Sequence, residues 1–99
     1  MKRFILPILL AAAASTGCSS DAPLDSAQLV QEKGCVACHG LDGRAIAESY
    51  PNLNGQWERY LRLQLIAYRD GKRQNGIMQG MAATLTDDEI NVLAEHYGR

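Results

Sequence analysis

The stretch Cys35-Val36-Ala37-Cys38-His39 decides how this sequence folds and what it holds. It has the form C-x-x-C-H, which is typical of covalent haem c attachment. Two thiols three positions apart on one helical turn can each add to a vinyl group on the same porphyrin edge. The histidine that follows then lies beneath the ring, where its imidazole can bind iron. The motif predicts one haem c per chain, attached at Cys35 and Cys38 and ligated by His39.

Three other chemistries use similar cysteine spacings. A thioredoxin-like dithiol accompanies a βαβ pattern, but no run here alternates apolar and polar residues over a strand's length. A zinc site requires four ligands, so Cys35, Cys38 and His39 would need Cys18 or His96 to complete it. A structural disulfide within the pair is the third alternative. The missing strands argue against the dithiol and the shortage of ligands against zinc, and the C-x-x-C-H signature favours haem over all three.

The N-terminal segment has the order of a signal peptide. Lys2 and Arg3 precede an apolar stretch over 4–14, and small polar residues follow up to Cys18. The apolar stretch is shorter than the roughly 20 residues that span a bilayer. Residues 15–18 resemble the lipobox of bacterial lipoproteins, in which the cysteine is lipidated. Ser15 stands where that motif usually has a large aliphatic residue, so ordinary cleavage is the alternative.

These features predict three regions: a signal peptide over 1–17, a lipidated N-terminus and short tether over 18–24, and one domain over 25–99. Removal of 1–17 takes away Lys2 and Arg3 and no acidic residue, so the net charge moves from −1 to about −3. A nucleic-acid partner would require a basic face, and this balance argues against one.

The only Phe is Phe4, and domains this small usually need a staple. A large apolar cofactor would meet that need.

The remainder of the chain predicts an all-α domain with long loops. A short helix is expected at about 26–34, capped by Asp25 or Ser26. A long loop over 40–55 follows, and a loop of that length usually serves a function. The segment 56–70 has apolar residues on one helical face and is followed by Gly71 as a terminator. A second loop covers 72–85, and Thr86 then begins the last helix with a capping box. The apolar faces of the last two helices carry Trp57, Leu61, Leu65 and Tyr68, and Ile90, Leu93, Ala94 and Tyr97.

The chain resembles class I bacterial cytochromes c, in particular the small domains that also occur in tandem in two-haem members. The likeness covers nearly all of 28–97. It is carried by four blocks in the family's order: Cys35-Val36-Ala37-Cys38-His39-Gly40, Tyr50-Pro51-Asn52-Leu53-Asn54-Gly55-Gln56, Tyr68-Arg69-Asp70-Gly71-Lys72-Arg73, and Ile77-Met78 running on to Ala82-Ala83-Thr84-Leu85-Thr86. The resemblance implies the cytochrome c fold, with three to five helices around one covalently bound haem.

The resemblance also implies the remaining site residues. The family's sixth iron ligand is a methionine eight positions before the cap of the last helix, which gives Met78, with Met81 as the fallback. Pro51 lies at the family distance from His39 for its carbonyl to accept the imidazole proton, and such a bond orients the ring. Leu53, Trp57 and Tyr60 are expected in the haem surroundings, although each could equally be plain core. His96 is expected to be a surface or packing residue.

With imidazole and thioether on its two sides, iron has no open position, so an electron carrier is expected and an enzyme is not. The alternative is a five-coordinate haem sensor or small peroxidase. Expected partners are redox proteins such as a membrane-bound oxidase, reductase or dehydrogenase, met by a monomer on the periplasmic side. A lipid at Cys18 would hold it to a membrane, and Ser19 in place of Asp favours the outer membrane by resemblance.

Overall fold

The computed structural model describes residue 7 and residues 23–99. Apart from residue 7, the expected signal peptide lies outside this part, and so does the expected lipidated cysteine. Five helices follow one another within it: α1 (Ser26–Glu32), α2 (Val36–His39), α3 (Glu58–Arg69), α4 (Gly76–Ala82) and α5 (Asp87–Tyr97). The described residues form no β-strand, and a single bridge joins Gln56 to Gly98. No helix in this part of the chain is long and apolar enough to cross a membrane. The all-α prediction is therefore confirmed.

The helix ends follow from hydrogen bonds made by side chains. The Asp25 carboxylate accepts from the backbone N–H groups of Ala27 and Gln28 and so starts α1. The capping box at the start of α5 is complete. The Thr86 hydroxyl accepts from the Glu89 N–H at 3.1 Å, and the Glu89 carboxylate accepts from the Thr86 N–H at 3.0 Å. Both ends were predicted because cap residues and their spacing are visible in a sequence.

The prediction of a continuous loop over 72–85 was wrong, because α4 occupies its middle. The Asn75 side chain accepts from the Met78 N–H at 3.0 Å and caps this helix. Gly76 and Gly80 suggested a loop, since glycine in a helix costs about 1 kcal/mol relative to alanine. Packing against α3 offsets that cost. Helices α1 and α3 differ from expectation only at their ends, which lie within two residues of the predicted bounds.

Helix α5 is the centre of the core and packs against both α1 and α3. The buried apolar side chains come from all the helices except α2 and from the turn before α5: Leu29, Val30, Leu61, Ala82, Leu85, Ile90, Leu93, Ala94 and Tyr97. The predicted stripe on α5 is confirmed, because all four of its residues are buried. Ile90 and Val30 are the largest side chains with almost no exposure, so this core alone is small for a stable domain.

The loop between α2 and α3 folds back onto the end of α5. Gly43 accepts backbone hydrogen bonds from Leu53 and Asn54 at 2.7 and 3.1 Å. Its φ of +83° and the nearness of Asn54 N, 2.7 Å from an ideal Cβ, leave room only for glycine. Gly71, predicted to end the third helix, has a φ of +75°. The first of these glycines brings the loop over 50–54 beside α2, and that loop forms one wall of the site.

Candidate functional site

A cavity of about 280 Å³ lies between α2, α3, α4 and the loop over 51–56. We call it the central cavity. Its lining is mainly apolar and aromatic, and fifteen residues contribute: Cys35, His39, Pro51, Asn52, Leu53, Gln56, Tyr60, Leu61, Gln64, Leu65, Tyr68, Arg73, Met78, Leu93 and Tyr97. Helix α3 supplies five of them at positions 60, 61, 64, 65 and 68, which share one helical face. The apolar helical face predicted from the sequence therefore forms one wall of the cavity, and loop residues extend that wall.

The short helix α2 presents the cysteine motif to this cavity. Cys35 and Cys38 are half-buried free thiols, and Cys35 lines the cavity whereas Cys38 does not. Burial raises the pKa of the Cys35 thiol above its ordinary value, against weaker opposing effects from a backbone hydrogen bond and Lys33. A raised pKa keeps this group a neutral thiol at neutral pH. That is the form in which it fits an apolar wall.

His39 is held in one orientation by the loop opposite. Its side chain is only 8% exposed, and Nδ1 lies 2.9 Å from the carbonyl oxygen of Pro51. Because a carbonyl can only accept, Nδ1 carries the proton and donates it. In the neutral imidazole that binds metals, Nε2 then keeps its lone pair, and no hydrogen bond within residues 23–99 uses this nitrogen. The arrangement is that of an imidazole prepared to bind a metal, with its second nitrogen fixed by a carbonyl.

The two candidate methionines lie three positions apart on α4 but in different surroundings. Met78 is half-buried and lines the central cavity. Met81 is 38% exposed and is not part of the lining, and its terminal methyl lies against Gly34. The structure thus brings Met78, and not Met81, into the space that His39 borders.

The three expected haem neighbours separate into two groups. Leu53 and Tyr60 line the cavity, whereas Trp57 does not. Trp57 caps α3 from outside, is 62% exposed, and stacks with the Arg99 guanidinium 4.7 Å from its ring centroid. Helical spacing grouped Trp57 with the apolar face, but its backbone is extended (ψ 128°). The side chain therefore leaves the register of the helix that follows.

Tyr97 is a site residue that the sequence analysis placed only in the core. Its hydroxyl donates to the carbonyl oxygen of Gly40 at 2.8 Å, and its ring meets the His39 imidazole edge to face at 6.4 Å between centroids. Burial raises the pKa of this phenol well above its ordinary value, and the nearby Cys35 adds to the effect. Tyr97 is therefore a neutral donor that ties α5 to the residue after His39. No sequence signal distinguishes this tyrosine from a packing one.

His96 packs, as expected, and takes no part in the cavity. Its Nε2 donates to the Leu41 carbonyl at 2.6 Å, and its Nδ1 lies 2.9 Å from the Ser26 hydroxyl. It joins α1, the loop after α2 and α5. Across the described residues, no cluster of three or more His, Cys, Asp and Glu side chains could hold a metal ion. The ligand set that the zinc alternative requires is not formed there.

The donors around the central cavity suit an iron porphyrin. One imidazole nitrogen is free, a thioether faces the same space, and a neutral thiol lies on the wall. The remaining lining is largely apolar and aromatic, as a flat hydrophobic ring requires. Fold and site together define a small helical haem-binding domain.

Comparisons with known proteins agree with this class. The family model described as Cytochrome c matches residues 25–96. Cytochrome c-554(548) of Halomonas halodenitrificans is 48% identical over 66 residues, which cover 64% of this chain and 80% of that protein. The thiosulfate dehydrogenase electron acceptor of Stutzerimonas stutzeri is 42% identical over 66 residues, covering 64% of this chain and 31% of that protein. Cytochrome c4 of Pseudomonas aeruginosa is 41% identical over 63 residues, with coverage of 64% and 31%.

The chain belongs to the cytochrome c family and is a class I c-type cytochrome. It spans most of the c-554(548) protein and about a third of the other two relatives. Membership implies covalently bound haem c and one-electron transfer between redox partners, without an enzymatic reaction. Domains of this family are typically periplasmic or otherwise exported.

Proposed function

We propose that this chain is an electron carrier whose haem is attached through Cys35 and Cys38, with His39 Nε2 and the Met78 sulfur as axial iron ligands. The observation that carries the proposal is the meeting of Cys35, His39 and Met78 at one apolar cavity. A His/Met-ligated haem c supplies reversible one-electron exchange at a potential that methionine ligation raises.

The protein's own residues perform three tasks in this proposal. The Pro51 carbonyl, 2.9 Å from Nδ1, fixes the ring plane and the tautomer of His39. A hydrogen bond of this kind also makes the imidazole a stronger ligand. Met78 would supply the second iron ligand and so leave no open position for substrate or dioxygen. Leu53, Leu65 and Tyr68 keep water from the ring faces, while Tyr60 stands 46% exposed at the border of the cavity.

The most direct test of the ligand assignment compares absorption spectra of two alanine variants of the full chain. The ferric wild-type protein should show the weak band near the red edge of the visible spectrum that reports sulfur bound to iron. Met78→Ala should lose this band. Met81→Ala is the matched control, from the same helix, and should keep it. Loss of the band in Met81→Ala alone would overturn the assignment.

The second candidate, a five-coordinate sensor or small peroxidase, makes the opposite prediction for carbon monoxide. The reduced wild-type protein should resist binding at neutral pH, because Met78 occupies the sixth position. Met78→Ala should bind carbon monoxide readily. Rapid binding by the wild-type protein would favour the sensor or peroxidase.

We also propose that Cys18 is lipidated and that the domain acts at the periplasmic face of a membrane. The support is the Ser15-Thr16-Gly17-Cys18 pattern and the shortness of the tether, whose reach at about 3.3 Å per residue is roughly 25 Å. Stable anchoring needs more than one acyl chain, which lipoprotein modification supplies. The position of Ser19 favours the outer membrane. Cell fractionation should find the wild-type protein with membranes and Cys18→Ala in the periplasm. A soluble wild-type protein would refute the anchor.

Two relatives support the kind of partner. One is named as the electron acceptor of thiosulfate dehydrogenase, and another is the cytochrome subunit of sulfide dehydrogenase of Chlorobaculum tepidum. We infer that this chain likewise exchanges electrons with a dehydrogenase, reductase or oxidase at the membrane. The interface should be small and quickly released, as in other redox encounters. A monomeric state, checked by sedimentation, stays a prediction.

A further inference from the structure

Arg73 is the one charged group in the lining of the central cavity. The other fourteen lining residues include no Asp, Glu or Lys, and the Nδ1 of His39 donates to the Pro51 carbonyl. The cofactor of this family is not neutral at its rim. A haem has two vinyl positions on one side, which the cysteines use, and two propionate carboxylates on the other. Arg73 would therefore offer a positive charge to the two propionate carboxylates of a haem in this cavity, and hydrogen bonds between such charged groups are strong.

The Arg73 side chain is held in place by neutral partners. Its guanidinium donates to Gln64 Oε1 at 2.6 Å and lies over the Tyr68 ring, 4.7 Å from the centroid. Gln64 and Tyr68 both belong to the cavity face of α3. The backbone N–H of Arg73 donates to the Ala67 carbonyl at 3.1 Å, so the residue is tied to the end of the same helix. Held this way, the guanidinium is preorganised and still has unused donors.

Two arginines of α3 have carboxylate partners. Arg62 pairs with Glu58, and Arg69 pairs with Asp70 and Asp87. Within residues 23–99, Arg73 makes no ion pair. The Arg73 guanidinium thus has a fixed orientation, lines the central cavity and carries an unpaired charge. An anion of the cofactor is the partner that satisfies all three.

We propose that Arg73 binds a haem propionate and, as its counter-ion, shifts the iron toward the reduced state. This inference rests on the proposed function. A positive charge beside the cofactor stabilises the electron that arrives there through Coulomb attraction. Because the Arg73 side chain is exposed, solvent and salt screen part of this attraction. Gln64 and Tyr68 are positioning residues for the guanidinium.

The test is the midpoint potential of full-length, haem-loaded variants at fixed pH and ionic strength. Arg73→Gln should lower the equilibrium constant for reduction by about three- to tenfold, where tenfold is 59 mV for one electron. Arg73→Lys keeps the charge and should stay within about twofold of the wild type. Lys72→Gln is the matched control, because it removes the same charge from the neighbouring residue, which does not line the cavity. It should also stay within about twofold.

Two results would overturn the inference: an unchanged potential in Arg73→Gln, or an equal fall in Lys72→Gln. If Arg73→Gln does not retain haem, Arg73→Lys still tests the inference. A tenfold fall in its equilibrium constant for reduction would show that the shape of the side chain, and not its charge, sets the potential. The red-edge sulfur band should persist in all three variants. A colourless wild-type protein would instead refute the proposed function.

Discussion

The hydroxyl of Tyr97 offers a clean perturbation of the contact between the last helix and the haem motif. In Tyr97→Phe the buried ring stays and only the hydrogen bond to the Gly40 carbonyl is lost. No other hydrogen bond reaches that carbonyl within the described part of the chain. An acceptor left unsatisfied costs about 1–3 kcal/mol, and this partly buried site should lie in the lower half of the range. We therefore expect a loss of about 1–2 kcal/mol in the free energy of unfolding.

The assay is guanidinium denaturation and thermal melting of the haem-loaded protein. For a domain of this size, each kcal/mol lowers the melting temperature by about 4–8 °C, so a fall of roughly 4–16 °C is expected. Tyr50→Phe is the control, since its hydroxyl makes no hydrogen bond within residues 23–99 and its loss should change stability by less than about 0.5 kcal/mol. Equal stabilities of Tyr97→Phe and the wild type would refute the role given to this contact.

Two further predictions concern a close approach and an ionic cap. Gly43→Ala should lose at least about 2 kcal/mol in denaturant titrations, because its Cβ would stand 2.7 Å from Asn54 N at a φ of +83°. Gly80→Ala, with open space around its Cα, should instead gain about 0.5–1 kcal/mol, and equal effects of the two changes would contradict the reasoning. The pKa of Glu89 is lowered, chiefly by the Thr86 N–H, from its usual 4.5. The Glu89 carboxylate therefore stabilises the fold fully above pH 4.5. This stabilisation is lost as the pH falls through the lower pKa that the group has in the folded state. Melting curves from pH 7 down to pH 3 should show a smaller loss for Glu89→Gln than for the wild type, and parallel losses would contradict the assignment.

Local signals in the sequence were enough to predict α1, α3 and α5. Caps such as Asp25 and Thr86 act within a few residues, so their effect can be read without knowing the fold. Helix α4 was missed because its stability comes from packing against α3 and not from propensity. Gly76 and Gly80 indicated a loop, and the Asn75 cap was not recognised in the sequence. Only tertiary contacts distinguish this short helix from a loop.

The site shows the same division between local and long-range information. The proposed haem residues Cys35, Cys38 and His39 could be chosen from the sequence because attachment chemistry fixes their spacing along the chain. The proposed role of Arg73 and the Tyr97 contact could not be chosen this way, since both depend on the direction in which a helix end and a core stripe face. Local periodicity cannot supply that direction.

Haem attachment is the claim on which the account depends, and mass spectrometry of denatured protein tests it most directly. The full chain should be produced in a host that matures c-type cytochromes. We expect a peptide containing Cys35 and Cys38 that carries one haem, and colour that stays with the unfolded chain. Cys35→Ser with Cys38→Ser should abolish both. A colourless wild-type protein, with both thiols of that peptide free to alkylate, would contradict the account.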